Sequence, residues 1–229
     1  LRLIIFDTET GGLDARQNPI LTLAMVPLDI FPSESSMTYT VGEGKLWAID
    51  DPGSHEYGTI VEMQALAVNG IDLEQHRATA QAPREVCEEI DAWFAGLGFG
   101  LSRWVELGGH NQAFDMPFLE RLWKLGTGRP MNRRFSSQHR CTWALAQFMK
   151  DVGAFDMRTR GGPLNLKLVT LCAWMKIDLP PSAAHNALND ATATAHLMAT
   201  LLSRLRSDVV AGKDAVVERE EQRALDENQ

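Results

Sequence analysis

Cysteine is scarce in this chain. Cys87, Cys141 and Cys172 are odd in number, widely spaced and without a CxxC pair, which excludes a disulfide framework or a thiolate zinc site. Their scarcity points to a reducing, cytoplasmic setting, with all three as small buried core residues. Long apolar runs are missing too. Nothing approaches the ~18–20 residues that cross a bilayer, so no membrane partner is expected. The opening LRLIIFDTET lacks the basic, long-apolar, small-residue order of a signal peptide. It does not start with Met, so residues ahead of Leu1 are expected. An excess of positive charge is also lacking, since the net charge over 229 residues is −8. A polyanion could not be held by a broad basic field and would need local patches, bound cations or shape.

What is present reads as one domain of ordinary composition, 45% hydrophobic and 23% charged. No internal repeat and no Pro/Ser linker divides residues 1–206. Beyond them, 207–229 is polar and acidic, a tail expected to be a frayed helix or disordered. Leu3 to Phe6 form an apolar run suited to a strand buried on both faces, ended by the polar turn DTETGG. A second strand is expected over 20–30, with Pro27 suggesting an edge or an end. A short third is expected at 45–49 and another at 104–109. Amphipathic helices are expected over 82–95, from Met116, over 141–153, over 164–177 and over 187–205, with GAFDMRTRGGP as a loop. Strands first, then alternation, then helices indicate an α/β fold with a mixed sheet flanked by helices.

Three segments carry acids where such a fold exposes them. Asp7 and Glu9 stand two apart after the first apolar run, so their carboxylates share a face while Thr8 points away. Gly11 and Gly12 then permit a sharp turn or a close approach. Asp115 precedes a helix with Pro at its second position, which suits a helix cap as well as a ligand at the positive helix end. His110 and Asn111, just before it, suit loop hydrogen bonding. His185 and Asp190 are five apart and would diverge by ~140° on one helix. If the helix starts at Asn186 or Ala187, His185 sits on the preceding loop, as Pro180-Pro181 supports. Each segment alone has an ordinary structural explanation. Together, carboxylates gathered at one place require positive charge, and hard divalent cations take oxygen ligands.

FDTETGGLD, HNQAFDMPFL and HNALNDATATAHL resemble the three motifs of the DEDDh 3′–5′ exonucleases, a family that includes proofreading exonucleases and ribonuclease T-like enzymes. The spacing from His185 to Asp190 resembles this branch rather than the one with tyrosine in that place. The segments 65–75 and 166–179 look like the family's connecting segments, and the resemblance covers about residues 1–205. It implies a ribonuclease H-like fold with a central five-stranded mixed sheet. It also implies that residues 1–206 are the exonuclease domain. Asp7, Glu9, Asp115 and Asp190 would hold two divalent cations, Mg²⁺ or Mn²⁺. His185 would take a proton from the attacking water, and a 5′-mononucleotide would leave the 3′ end of DNA or RNA.

The same resemblance places the terminal nucleotide against Thr10, Gly11 and Leu13, with Asn111 as a further substrate contact. Gly11 stands where the family often has threonine, one side-chain donor fewer. The stretch 121–140 has six Lys/Arg, no acid, and interleaved Trp123 and Phe135. It fits either a single-strand track of cations and stacking rings or a solvated surface. Two other readings stay open: a nucleic-acid-binding or assembly module on the same fold, and an endonuclease. A polymerase or other protein partner and a homodimer are both compatible with the resemblance. No motif reads a 2′-hydroxyl.

Overall fold

The computed structural model describes residues 1–33, 36–52, 60–100, 104–153 and 165–226, with the side chains of 208 and 210–226 left aside. Beyond Gly153, the loop expected over GAFDMRTRGGP lies outside these residues. Among these residues six strands form one mixed sheet: β1 (Arg2–Thr10), β2 (Ile20–Pro32), β3 (Met37–Val41), β4 (Lys45–Ala48), β5 (Val105–Gly109) and β6 (Phe135–Cys141). The order is β3-β2-β1-β5-β6, and β4 pairs the same side of β2 as β3 does. Strands β1, β5 and β6 are parallel, and the β2 pairings are antiparallel.

Six strands rather than five is a correction with two sources. Strand β3 has a mostly exposed pattern, and β6 is a polar sheet-edge sequence, FSSQHRC, so neither shows an apolar run. Pro27 is the second correction, because it stands inside the central strand β2. β3 pairs residues 28–32 and β4 pairs 22–25, so Pro27 faces the gap between them. Its carbonyl accepts the Gly42 N–H at 2.9 Å. The missing proline N–H therefore falls where no ladder partner waits.

Seven α-helices accompany the sheet among the described residues: α1 (Met63–Asn69), α2 (Leu73–Thr79), α3 (Pro83–Gly96), α4 (Met116–Thr127), α5 (Thr142–Asp151), α6 (Leu168–Met175) and α7 (Ala187–Asp226). On one face of the sheet, Ile4, Phe6, Leu23 and Met25 pack with Val86, Ile90 and Phe94 of α3 and Phe118, Leu119 and Leu122 of α4. On the other, Leu3, Ile5, Ala24, Val26 and Leu28 meet Ala187, Ala191, Ala195 and Ala199 of α7. Alanine at every fourth position gives α7 a flat stripe that lets it lie close to the sheet. The backbone of α7 stays helical past Leu205, the last position of its expected apolar stripe, as far as Asp226. No helix among the described residues is long and apolar enough to cross a membrane.

Candidate active site

The two faces of β1 decide how the acids divide. Leu3 and Ile5 belong to the α7 side of the sheet, Ile4 and Phe6 to the α3/α4 side. Period-two alternation then sends Asp7 and Glu9 toward α7, and Thr8 toward α4. The acids do not follow the strand, as the sequence suggested, but lie within it: Asp7 pairs Ala24 and Glu9 pairs Thr22. The register slips between Glu9 and Thr10, a bulge that bends the strand where its side chains enter the cleft.

Asp190 reaches this place from the first turn of α7. The Asn186 side chain caps that helix by accepting the Leu188 and Asn189 N–H groups at 3.2 Å each. One carboxylate oxygen from each of Asp7, Glu9 and Asp190 lies within 4.8 Å of the other two. Oδ2 of Asp190 accepts the His185 N–H at 3.0 Å. Its Oδ1 is buried with no hydrogen-bond partner among the described residues.

Asp115 arrives from the opposite face. It occupies the N-cap position of α4, yet its side chain makes no capping bond. Instead Oδ1 accepts the Thr8 hydroxyl at 2.6 Å and the Thr8 N–H at 3.2 Å. Asp115 is outside the three-residue convergence, but of the neighbouring charges it acts most strongly on Asp7. His185 is exposed on the loop before α7, with φ +62°, and Asn111 has φ +55°. Of the three non-glycine residues at positive φ among those described, these two border the same cleft. Strained backbone of this kind concentrates at functional sites.

The cleft has a volume of about 420 Å³. All five motif residues line it, together with Thr10, Leu13 and Asn111. Gly11 does not. Its N–H goes to the Pro19 carbonyl at 2.8 Å, and its carbonyl accepts the Glu62 N–H at 2.7 Å. A Cβ there would stand 2.7 Å from Cδ of Pro19, so packing alone calls for glycine. Thr10 donates its hydroxyl to the Gly12 carbonyl at 2.7 Å, which shapes the turn. Leu13 is 81% exposed at the rim.

Sequence reasoning missed two parts of this cleft. Strand alternation turns Thr8 away from Asp7 and Glu9, and on that other face it is the hydrogen-bond donor that orients Asp115. Its place between two acids was the available signal. The wall opposite the acids is Glu62, Gln64, Ala65, Val68 and Asn69, on and beside α1. None of the α1 residues is buried, so that helix has no apolar stripe to announce it.

Among the described residues no lysine or arginine lines the cleft. Burial, then the charges of Asp115, Glu9 and Asp190, hold the Asp7 carboxyl well above the usual range. Burial followed by the charges of Asp190 and Asp115 pushes Glu9 up to about 8. Burial raises Asp115 to about 6, against the two Thr8 hydrogen bonds. Burial also raises Asp190, against the His185 N–H. Crowded carboxylates that resist ionisation, with a buried unpartnered oxygen among them, fit divalent cations. His110, also in the cleft wall, is held neutral by burial, which lowers its pKa to about 4, and it bonds the Thr142 hydroxyl at 2.8 Å.

The basic stretch 121–140 does not form a stacking track. Trp123 and Phe135 are core residues in edge contact, with ring centres 4.8 Å apart. Arg121, Arg134 and Arg140 are in ion pairs with Asp51, Asp91 and Glu106. Cys87 and Cys172 are buried, Cys141 is half-buried, and all three are free.

No family model matches the chain. Ribonuclease T of Blochmanniella pennsylvanica (strain BPEN) is 26% identical over 211 residues, 88% of this chain and 84% of that protein. Exonuclease I from Methylocaldum szegediense shares the fold at a TM-score of 0.65 and 18% identity, over 91% of this chain and 41% of that one. The zinc-bound form of an E. coli exonuclease I complex with single-stranded DNA gives 0.59 and 20%, over 93% and 42%. The chain thus spans about two fifths of the length of exonuclease I. These likenesses establish the ribonuclease H-like fold. Similar to ribonuclease T along most of its length, and with its three acidic motifs meeting in one cleft, the chain resembles the DEDDh 3′–5′ exonucleases in both sequence and site.

Proposed function

We propose that this chain is a metal-dependent 3′–5′ exonuclease that hydrolyses single-stranded or frayed 3′ ends of DNA or RNA and releases 5′-mononucleotides. One observation carries the reading: oxygens of Asp7, Glu9 and Asp190 converge within 4.8 Å, in a cleft that also holds Asp115 and His185. The likeness to ribonuclease T favours it over a pure binding or assembly module, because all five reactive groups are retained. The single-stranded DNA bound by the E. coli relative favours an unpaired strand as substrate.

In this reading Asp7, Glu9, Asp115 and Asp190 hold two divalent cations, Mg²⁺ or Mn²⁺. When bound, such ions stabilise charge on the attacking and leaving oxygens of an in-line displacement. Thr8 fixes the Asp115 carboxylate, and Asn186 caps the helix turn that presents Asp190. His185, on an exposed loop beside Asp190, accepts the proton of the attacking water. Leu13 and Asn111 border the end nucleotide, while Thr10 and Gly11 shape the turn beneath it. The 3′ oxygen of the penultimate nucleotide leaves, and the phosphate departs with the terminal nucleoside. Residues 1–206 are the nuclease domain and 207–229 an appendage. The scarcity of cysteine supports a cytoplasmic setting. A homodimer, or a polymerase or other partner, would leave this cleft chemistry unchanged.

The test is digestion of a 5′-labelled oligonucleotide. A ladder shortening one nucleotide at a time with Mg²⁺ or Mn²⁺, stopped by EDTA and by a 3′-phosphate block, is expected. Equal cutting of a circular strand would instead establish an endonuclease.

A further inference from the structure

Arg121 lies on α4, six residues beyond Asp115, and plays no part in the chemistry above. Its side chain is 14% exposed, and the carboxylate of its partner Asp51 is 1% exposed. An ion pair this enclosed needs its remaining donors and acceptors used well, and among the described residues the Arg121 Nε is left without a partner while both terminal nitrogens are engaged. The guanidinium fork does more than pair with Asp51. It donates to the backbone carbonyl of Ala15, and at 2.8 Å to that of Asn18. Both carbonyls belong to the loop between β1 and β2, the loop that carries Gly12 and Leu13 to the cleft rim. Asp51 in turn accepts the Ile20 N–H at 2.9 Å, where β2 begins. The Arg121 guanidinium also stands 5.8 Å from the Phe118 ring, which limits its freedom.

The geometry points to Arg121 as a positioning residue for the strand end, acting through Leu13; this rests on the exonuclease reading above. One rigid helix presents Asp115 at its start and, about two turns on, grips the loop that bears Leu13. The spacing between the carboxylate cluster and the apolar rim is thereby fixed by α4. A planar fork with several donors suits this task, because it can hold two carbonyls and a carboxylate at once. An ammonium is a point charge without that geometry. Leu13 is 81% exposed, so burial does little to hold it in place. The loop is held from behind, where Arg121 bonds two of its carbonyls and Ala15 packs on the core.

The test is a double-mutant cycle on the binding of a 5′-fluorescein oligothymidylate in Ca²⁺, using the full chain. Arg121→Lys keeps the charge beside Asp51 and loses the fork. It is expected to weaken binding about tenfold, and Leu13→Ala to do nearly as much. The double variant is expected to bind little worse than either single. Amide exchange over residues 12–18 should quicken in Arg121→Lys, while the thermal shift caused by Mn²⁺ stays the same. Additive losses, or an unchanged exchange rate, overturn the proposal. Should Arg121→Lys fail to fold, Arg121→Met with Asp51→Asn removes both charges and takes its place in the cycle. Wild type that binds the strand with this coupling but never digests it refutes the exonuclease reading and leaves the positioning role standing. Wild type that binds no strand overturns both.

Discussion

The Thr8 hydroxyl donates to Oδ1 of Asp115 at 2.6 Å, across the face of β1 opposite Asp7 and Glu9. Asp115 is thus held by the strand that bears the other two acids. Its position does not depend on the cap geometry of its own helix. A hydrogen bond to a charged group contributes about 1.5–3 kcal/mol, and loss of such a supporting partner lowers metal affinity or activity roughly 10–100-fold. Thr8→Val is expected to fall in that range, with part of the loss recovered at high Mn²⁺. Thr8→Ser, which keeps the hydroxyl, should remain near wild type. Steady-state digestion across a Mn²⁺ series checks both.

His185 touches the cluster through its backbone, and its imidazole is exposed beside it. His185→Ala should lower kcat by roughly 10²–10⁴, the usual contribution of a positioned proton acceptor. Cation binding, followed by thermal shift, should persist. Normal turnover in this variant would remove the histidine from the mechanism.

The carboxyls of the cleft give stability an unusual pH dependence. Glu9 at about 8 and Asp115 at about 6 are raised above the ordinary carboxylate range. A carboxyl raised on folding supports the folded state below its unfolded pKa, and that support is lost as pH rises through the folded value. Without metal, Tm should therefore fall from about pH 4 to about pH 8, the range in which unfolded carboxyls are ionised while the folded ones still hold protons. Saturating Mg²⁺ should restore it, so the gap between metal and EDTA samples widens with pH. Differential scanning fluorimetry reads this directly. A gap that narrows with rising pH would contradict the electrostatic account.

Gly11→Ala places a methyl 2.7 Å from Cδ of Pro19 and 2.8 Å from Cγ. A proline ring cannot rotate away, so the loop must shift. Overpacking of this kind costs about 1–3 kcal/mol, and a lower Tm is expected. The loss should be as large in EDTA as in Mg²⁺, because the position serves packing and not the ions.

Much of this site could be read from residue order. Asp7 and Glu9 share a face by strand alternation, and His185 stands on a loop because the helix begins after it. The four acids and the histidine do line one cleft, in which Asp115 is set a little apart. What escaped depends on contacts between distant segments. Thr8 acts on a residue more than a hundred positions away. Strand β6 is a polar edge, and α1 is exposed throughout, so neither leaves a burial pattern in the sequence. Pro27 misled because a proline inside a sheet normally marks an edge. Here the break between β3 and β4 creates a local edge beside a central strand. The stretch 121–140 fits a stacking track or a solvated surface by sequence, but a basic segment can also bury Trp123 and Phe135 and pair its arginines.

Cation binding tests the central claim most directly. Titration calorimetry of Mn²⁺ into the metal-free protein should show two ions per chain when a nucleoside 5′-monophosphate is present, and Asp7→Asn should abolish the tighter one. Wild-type protein that takes up no Mn²⁺ at millimolar concentration, or an Asp7→Asn titration indistinguishable from wild type, would contradict the account.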